Sequence, residues 1–471
     1  MRYVLSVVFM LICTACVLTA RVVLPPVFAD NMVLQQQADV SLWGKTEPGR
    51  KVVISPSWVR TKVAVKVDAH GCWKAKVKTP SAGGPYSIVL NDGDKLTLKN
   101  VLIGEVWICL GQSNMEMPMK GFRGQPVKDA SRFILSADPS VPIRSCNFVK
   151  TKSFELQDEC AATWYEHTSE GVAEASAVAY FFARRLHESL DIPVGVINLS
   201  WGSTPIEAWM DPAVLAEEFS DKISLSHLQD KVWPAKKPHQ AAGVLYNGML
   251  HPLAGYTAKG FIWYQGCSNW RDPHLYKSLQ PSFVRMLRRD WENDTMPFYF
   301  VQLAQYKTIL PEFKWIQAQT LDLIPFSGMA TAHDVGEYSC IHPADKETVG
   351  DRLAFLALTK DYGFGYIDAD TPVPVSFEFQ EGQAVVTFKV GAMGLSPRSG
   401  EIEGFELAGE DGVFYPAKAR VLYGDGNSVK VYDCPQVNHP VAVRYGMDNW
   451  CKPTLYNGFG IPASPFRSDN W

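Results

Sequence analysis

Between residues 103 and 363 the chain alternates short, almost unbroken apolar runs with amphipathic segments, and this alternation constrains its fold more than any other feature. The runs "EVWICLG", "VGVINLSWG", "GFIWYQG" and "FYFVQLAQY" have no polar face, as expected of strands covered on both sides. The segments "ASAVAYFFARRLHESL" and "ETVGDRLAFLALTK" repeat their apolar residues at helical spacing. Buried strands alternating with helices predict βαβ units around a parallel sheet, an α/β class. The pattern changes on either side. Over residues 21–102, β-rich runs such as "TKVAVKV" and "CWKAKVKT" are separated by the turn signals "TEPGR", "DAHG" and "SAGGP", which predicts a small antiparallel sandwich. Over residues 371–471 the short strands return ("AVVTFKV", "SVKVYD", "VAVRYG") with Gly-rich turns, a second β domain. At 471 residues, 46% of them hydrophobic, the chain is long enough to build such cores.

The first 20 residues carry one Arg, an apolar run and the small-residue stretch "LTA", the pattern of a cleaved signal peptide too short to span a membrane. The mature chain is therefore expected to be exported, to the periplasm or outside the cell, or through the secretory or lysosomal route in a eukaryote. Cys16 is a candidate for lipid attachment, although Cys13 stands where an aliphatic residue is usual. Eight cysteines remain after the leader, scattered and without a CxxC pair, so no metal or other cofactor is expected and one or two disulfides are permitted. A net charge of -4 gives no basic footprint, which argues against nucleic acid as a partner.

In α/β sheets ligands gather at the carboxyl ends of the strands. Four polar or small-residue clusters fall there: "GQSNM" (111–115), "SWGST" (200–204), "YQGCSNW" (264–270) and "CIHPADK" (340–346). Ser113 follows a strand, but its context lacks the G-x-S-x-G of an α/β-hydrolase elbow, so a different serine-hydrolase architecture is required. A serine nucleophile needs a base, and His342, in a loop ahead of Pro343 and a helix, has the best setting among ten histidines. Gly202 and Ser113 through their N–H groups and Asn269 through its amide are candidate oxyanion donors. Each of these residues taken alone reads equally well as turn chemistry.

The neighbours of these residues distinguish the two readings. "NMVLQQ", "VLIGEVWICLGQSNMEMPM", "GVINLSWGSTPIEAWM", "YNGMLHPLAGYTAKGFIWYQGCSNW", "IHPADKETVGDRLA" and "LYNGFGIPASPFRSDNW" occur in the order seen in the sialate O-acetylesterase family of the SGNH-hydrolase superfamily, which the chain resembles over nearly its whole mature length. The resemblance implies a flavodoxin-like three-layer catalytic domain flanked by β domains, and metal-independent removal of acetyl groups from O-acetylated sialic acids. It implies Ser113 as nucleophile, His342 as base, and Gly202 and Asn269 as oxyanion donors. Gln112, Gln265 and Trp270, beside these motifs, are candidates for substrate binding.

Two positions depart from the family pattern. Cys267 stands where relatives carry a glutamate, and Cys340 and Ser339 stand where an acid commonly precedes the histidine. An acid there would orient the imidazole. The orienting acceptor is left open among Ser339, Asp334, Glu337 and a backbone carbonyl, and Cys267 and Cys340 are either disulfide-bonded or separate thiols. Arg123 or Arg271 is a candidate for a sialic acid carboxylate, and each also reads as a solvated loop charge. Acetylated xylan or another polysaccharide is the alternative substrate, and a sugar-binding protein with weakened catalysis is the alternative function.

Overall fold

The computed structural model describes residues 22–424 and 426–471. The expected signal peptide, Cys13 and Cys16 lie outside the described residues. Six strands precede the central region: β1 (Val33–Gln35), β2 (Asp39–Lys45), β3 (Lys51–Pro56), β4 (Val63–Lys66), β5 (Cys72–Lys78) and β6 (Gly83–Asn91). β5 shows the half-buried alternation that its sequence predicts, Trp73, Ala75 and Val77 pointing inward between exposed lysines.

β7 (Lys95–Gly111) is 17 residues long and belongs to both regions. Its first part pairs antiparallel with β6; its last part, an unbroken apolar stretch, pairs parallel with β10 (Val194–Ser200) and β11 (Gly260–Tyr264). The boundary expected at residues 102 and 103 therefore falls inside one continuous strand, and the hydrophobic core runs unbroken from Val22 into the central region. Around β7 the sheet continues through β8 (Ile143–Phe148), β9 (Ala162–Tyr165), β12 (Phe298–Gln302) and β13 (Ser327–Thr331) in the order β13-β12-β11-β7-β10-β8-β9. All neighbours are parallel except β9, which returns antiparallel to β8.

Helices cover both faces. On one, Trp107 of β7 meets Phe182 of the helix Ala177–Leu190 edge-on, with ring centroids 5.1 Å apart. On the other, Trp263 and Phe261 of β11 meet Phe283, on the helix Pro273–Asp290, and Trp291 just beyond it. The result is a mixed α/β architecture with a large mixed sheet, and the absence of any polar face in the central strands follows from this double cover. Short antiparallel strands follow from Val373 to Arg467 and enclose a second core around Val386, Phe405, Val431 and Phe466. Among the described residues no helix is long and apolar enough to cross a membrane.

Candidate active site

The carboxyl ends of β7, β10 and β11 bring three of the four clusters together. Gly111 ends β7 with φ +149°, and a Cβ there would lie 2.3 Å from the Tyr264 carbonyl oxygen, so only glycine lets β7 close against β11 at this turn. The chain then enters the short helix α1 (Ser113–Glu116), with Ser113 at its first position. The Ser113 N–H has no acceptor within that turn, as for any first helical residue. Gly202, after β10, adjoins it: a Cβ on Gly202 would stand 3.3 Å from the Ser113 Cβ.

The fourth cluster arrives on the loop before the helix Lys346–Asp361. His342 Nε2 lies 2.8 Å from Ser113 Oγ, joining residues 229 apart in sequence. The other ring nitrogen, Nδ1, lies 2.6 Å from Gln125 Oε1. None of the acceptors considered from sequence occupies that position. Asp334 is held by the Arg352 guanidinium in a two-pronged ion pair at 2.6 and 2.7 Å, Glu337 accepts the Ala344 N–H at 2.6 Å, and Ser339 is exposed. The far side of the imidazole therefore faces a neutral amide from the loop after α1, and the Phe122 ring meets the imidazole edge-on at 5.4 Å.

Cys267 and Cys340 are both free thiols, so the disulfide considered for them is not formed. Cys340 points its Sγ to the His342 carbonyl oxygen, 3.2 Å away. Cys267 is packed beside Asn114 and Lys346, and burial pushes its thiol up to about 12. Lys346 is 1% exposed, donates to Asn114 Oδ1 at 2.5 Å and has no carboxylate in ion-pair contact among the described residues. Asn114 in turn donates to the Ile341 carbonyl at 3.0 Å. Asn114, next to Ser113, thus ties α1 to the loop of His342. Burial lowers the Lys346 ammonium to about 7. Burial, then the charge of Lys346, lowers the His342 imidazole to about 4, which keeps it neutral at ordinary pH.

The oxyanion candidates are partly engaged. The Gly202 N–H donates to Glu116 Oε2, and Glu116 Oε1 is bound by the Lys150 ammonium at 2.5 Å. Asn269 accepts the Ile206 N–H and the Gln265 amide on its oxygen and gives one N–H to Glu207 at 2.9 Å. Burial raises the Glu207 carboxyl.

The three expected substrate contacts differ in burial. Gln112 and Gln265 are buried, at 3% and 0% exposure. Gln112 Oε1 accepts the Gly266 N–H, and Gln265 Nε2 donates to Thr204 O and Asn269 Oδ1, so these amides lock the three loops to one another. Trp270 is half-buried, with the Arg271 guanidinium 5.2 Å from its ring. Gln125, Glu116, Asn114, Glu207 and Lys346 were not singled out by sequence. Four of them lie inside the quoted motifs, but their side-chain partners are 34 to 232 positions away.

The model of the family described as carbohydrate esterase, sialic acid-specific acetylesterase, matches residues 103–358, more than half of the chain. The sialate O-acetylesterases of Pongo abelii and Homo sapiens are 28% and 27% identical, each match covering 93% of this chain and 90% of the relative. The crystal structure of a carbohydrate acetylesterase from Xanthomonas citri superposes with a TM-score of 0.86 at 33% identity, covering 96% of this chain and 100% of the other. A paired serine and histidine at the strand ends, with this extent of likeness, make the protein a carboxylic ester hydrolase, and the chain belongs to the sialic acid-specific acetylesterase family of carbohydrate esterases.

Proposed function

We propose that the chain is an exported serine esterase that removes O-acetyl groups from sialic acids through an acyl-enzyme intermediate on Ser113. The observation that carries this reading is the 2.8 Å contact between Ser113 Oγ and His342 Nε2, with the far side of the imidazole anchored on Gln125. His342 takes the hydroxyl proton as Ser113 Oγ attacks the acetyl carbon. The sugar oxygen leaves with that proton, and a water then repeats the sequence on the acetyl-serine.

The developing oxyanion is received by the N–H groups of Ser113 and Gly202 and by the second N–H of Asn269. The Gly202 N–H becomes available when Glu116 moves off it toward Lys150, which already holds its other oxygen. Gln125 keeps the proton on Nδ1, so that Nε2 is the basic nitrogen. A neutral amide stabilises the imidazolium less than a carboxylate does, and the rate is correspondingly lower than in a triad with an acid. Residues 103–363 act as the catalytic unit, of SGNH-hydrolase type, and residues 21–102 and 371–471 as flanking β-sandwich-like domains. The apolar leader is the basis for export.

The second reading is the same chemistry on an acetylated neutral polysaccharide. It is favoured by the structural likeness to the Xanthomonas citri protein, described as a carbohydrate acetylesterase with no sialic acid specified. Acetate release from O-acetylated sialic acid and from acetylated xylan, measured side by side for the wild type and Ser113→Ala, tests both. The first reading expects the larger kcat/KM on the sialic acid and loss of both activities in the variant.

A further inference from the structure

Beside the Gly202 turn, two segments that no motif covers lean toward the site. Residues 150–154 leave β8, and residues 233–240 form a loop before the Tyr246–Leu250 turn. The Gln240 amide donates to the Ser203 carbonyl, and the His239 imidazole stacks on Trp201 with ring centroids 4.9 Å apart and an interplanar angle of 11°. Trp201 immediately precedes Gly202, so this stack borders the nucleophile's turn. Farther along the same wall, Phe154 and Trp233 stack at 3.7 Å, and the Lys152 ammonium lies 4.9 Å over the Trp233 ring.

The cations on this wall are unevenly paired. Lys150 is neutralised by Glu116 and Lys231 by Glu155, whereas Lys152 has no ion pair among the described residues. Burial, and to a lesser degree the charges of Lys237, Lys152 and Lys150, hold the His239 imidazole below its ordinary value. An aromatic wall carrying an unneutralised cation complements a sugar that bears a carboxylate.

We propose that Lys152, braced on Trp233 and Phe154, receives the carboxylate of an acidic sugar whose acetyl ester lies at Ser113, and that this contact makes the enzyme select acidic over neutral acetylated sugars. The proposal rests on the reading of Ser113 as the nucleophile. Lys152 touches the substrate away from the reacting atoms, so its contribution is to binding, shared by ground and transition states.

The test is steady-state kinetics of the wild type, Lys152→Met and Lys152→Arg on O-acetylated N-acetylneuraminic acid, an O-acetylated xylo-oligosaccharide and p-nitrophenyl acetate. Lys152→Met is expected to raise KM for the sialic acid ester by about tenfold or more, the loss of one charge-assisted contact, while kcat and both other substrates stay within about twofold. Lys152→Arg should retain most of the preference, and added salt should weaken wild-type turnover of the acidic ester alone. A wild type that prefers the neutral ester, or a Lys152→Met effect that is absent or equal on all three substrates, overturns the proposal. These failures are distinct from that of the Ser113 reading, which would appear as p-nitrophenyl acetate hydrolysis unaffected by Ser113→Ala.

Discussion

Removing the amide that faces the imidazole, by Gln125→Ala, probes the feature in which this site departs most from a triad with an acid. Gln125 Oε1 accepts from a neutral imidazole before the reaction and from an imidazolium once the Ser113 proton has moved. A hydrogen bond between neutral groups is worth about 1 kcal/mol net, and one to a charged partner about 2 to 3 kcal/mol. Only the difference, about 1 to 2 kcal/mol, lowers the barrier, so kcat is expected to fall about 5-fold to 30-fold with KM little changed. This is well short of the roughly ten-thousandfold loss when a triad aspartate becomes an amide, because no ionised partner is lost here. Gln125→Glu supplies that charge: kcat should be retained or increased, and the acid limb of kcat/KM should move up, since a facing carboxylate favours the imidazolium. The assay is acetate release from about pH 3 to about pH 9 for all three proteins. A Gln125→Ala enzyme within about twofold of wild type at every pH would refute the assignment of Gln125 as the orienting group.

Further outcomes follow from the same geometry. Asn269→Ala is expected to lower kcat by about a hundredfold or more, roughly 3 kcal/mol, at nearly constant KM; a loss of stability with kcat unchanged would reduce Asn269 to the scaffold role of its bonds to Glu207 and Ile206. Because His342 must be neutral to act and its value is lowered to about 4, the acid limb of kcat/KM should lie near pH 4 instead of near 6.5, and Lys346→Met should shift it upward by removing the neighbouring cation. Lys346 (about 7) and Lys314 (about 8) sit in the fold below their unfolded value of 10.5, so their contribution is fully present above that value and is lost as pH falls through 8 and 7. The unfolded chain binds more protons in this window, and the denaturant midpoint should rise from about pH 6 to about pH 9; a flat or falling profile would contradict it.

The parts of this architecture visible in the sequence are those with a periodic or strand-end signature. "EVWICLG" and "GFIWYQG" read as buried strands because helices cover both faces, and Ser113 and His342 stood at the ends where such sheets gather ligands. The region boundary was harder to see, since β7 keeps its strand character through residues 102 and 103 while its partners change. Gln125 lies in "GFRGQPV", a loop with no periodicity, and its role depends on a contact across 217 residues. Sequence proximity offered a backbone carbonyl, Ser339, Asp334 and Glu337 without choosing among them, but Ser339 is exposed, Asp334 is neutralised by Arg352 and Glu337 holds the Ala344 N–H. Gln112 and Gln265 stood out because they flank the motifs, but the bonds by which they join the loops could not be read from the sequence.

In the proposed reaction the acetyl group passes through Ser113 with His342 as base. The most direct measurement is rapid acid quench of the enzyme turning over O-acetylated sialic acid, followed by peptide mapping by mass spectrometry. One added acetyl group is expected on the peptide containing Ser113, absent in Ser113→Ala, and in His342→Ala formed at least about a thousandfold more slowly. Acetate release at the wild-type rate by Ser113→Ala, or an acetyl group carried on another residue, would contradict it.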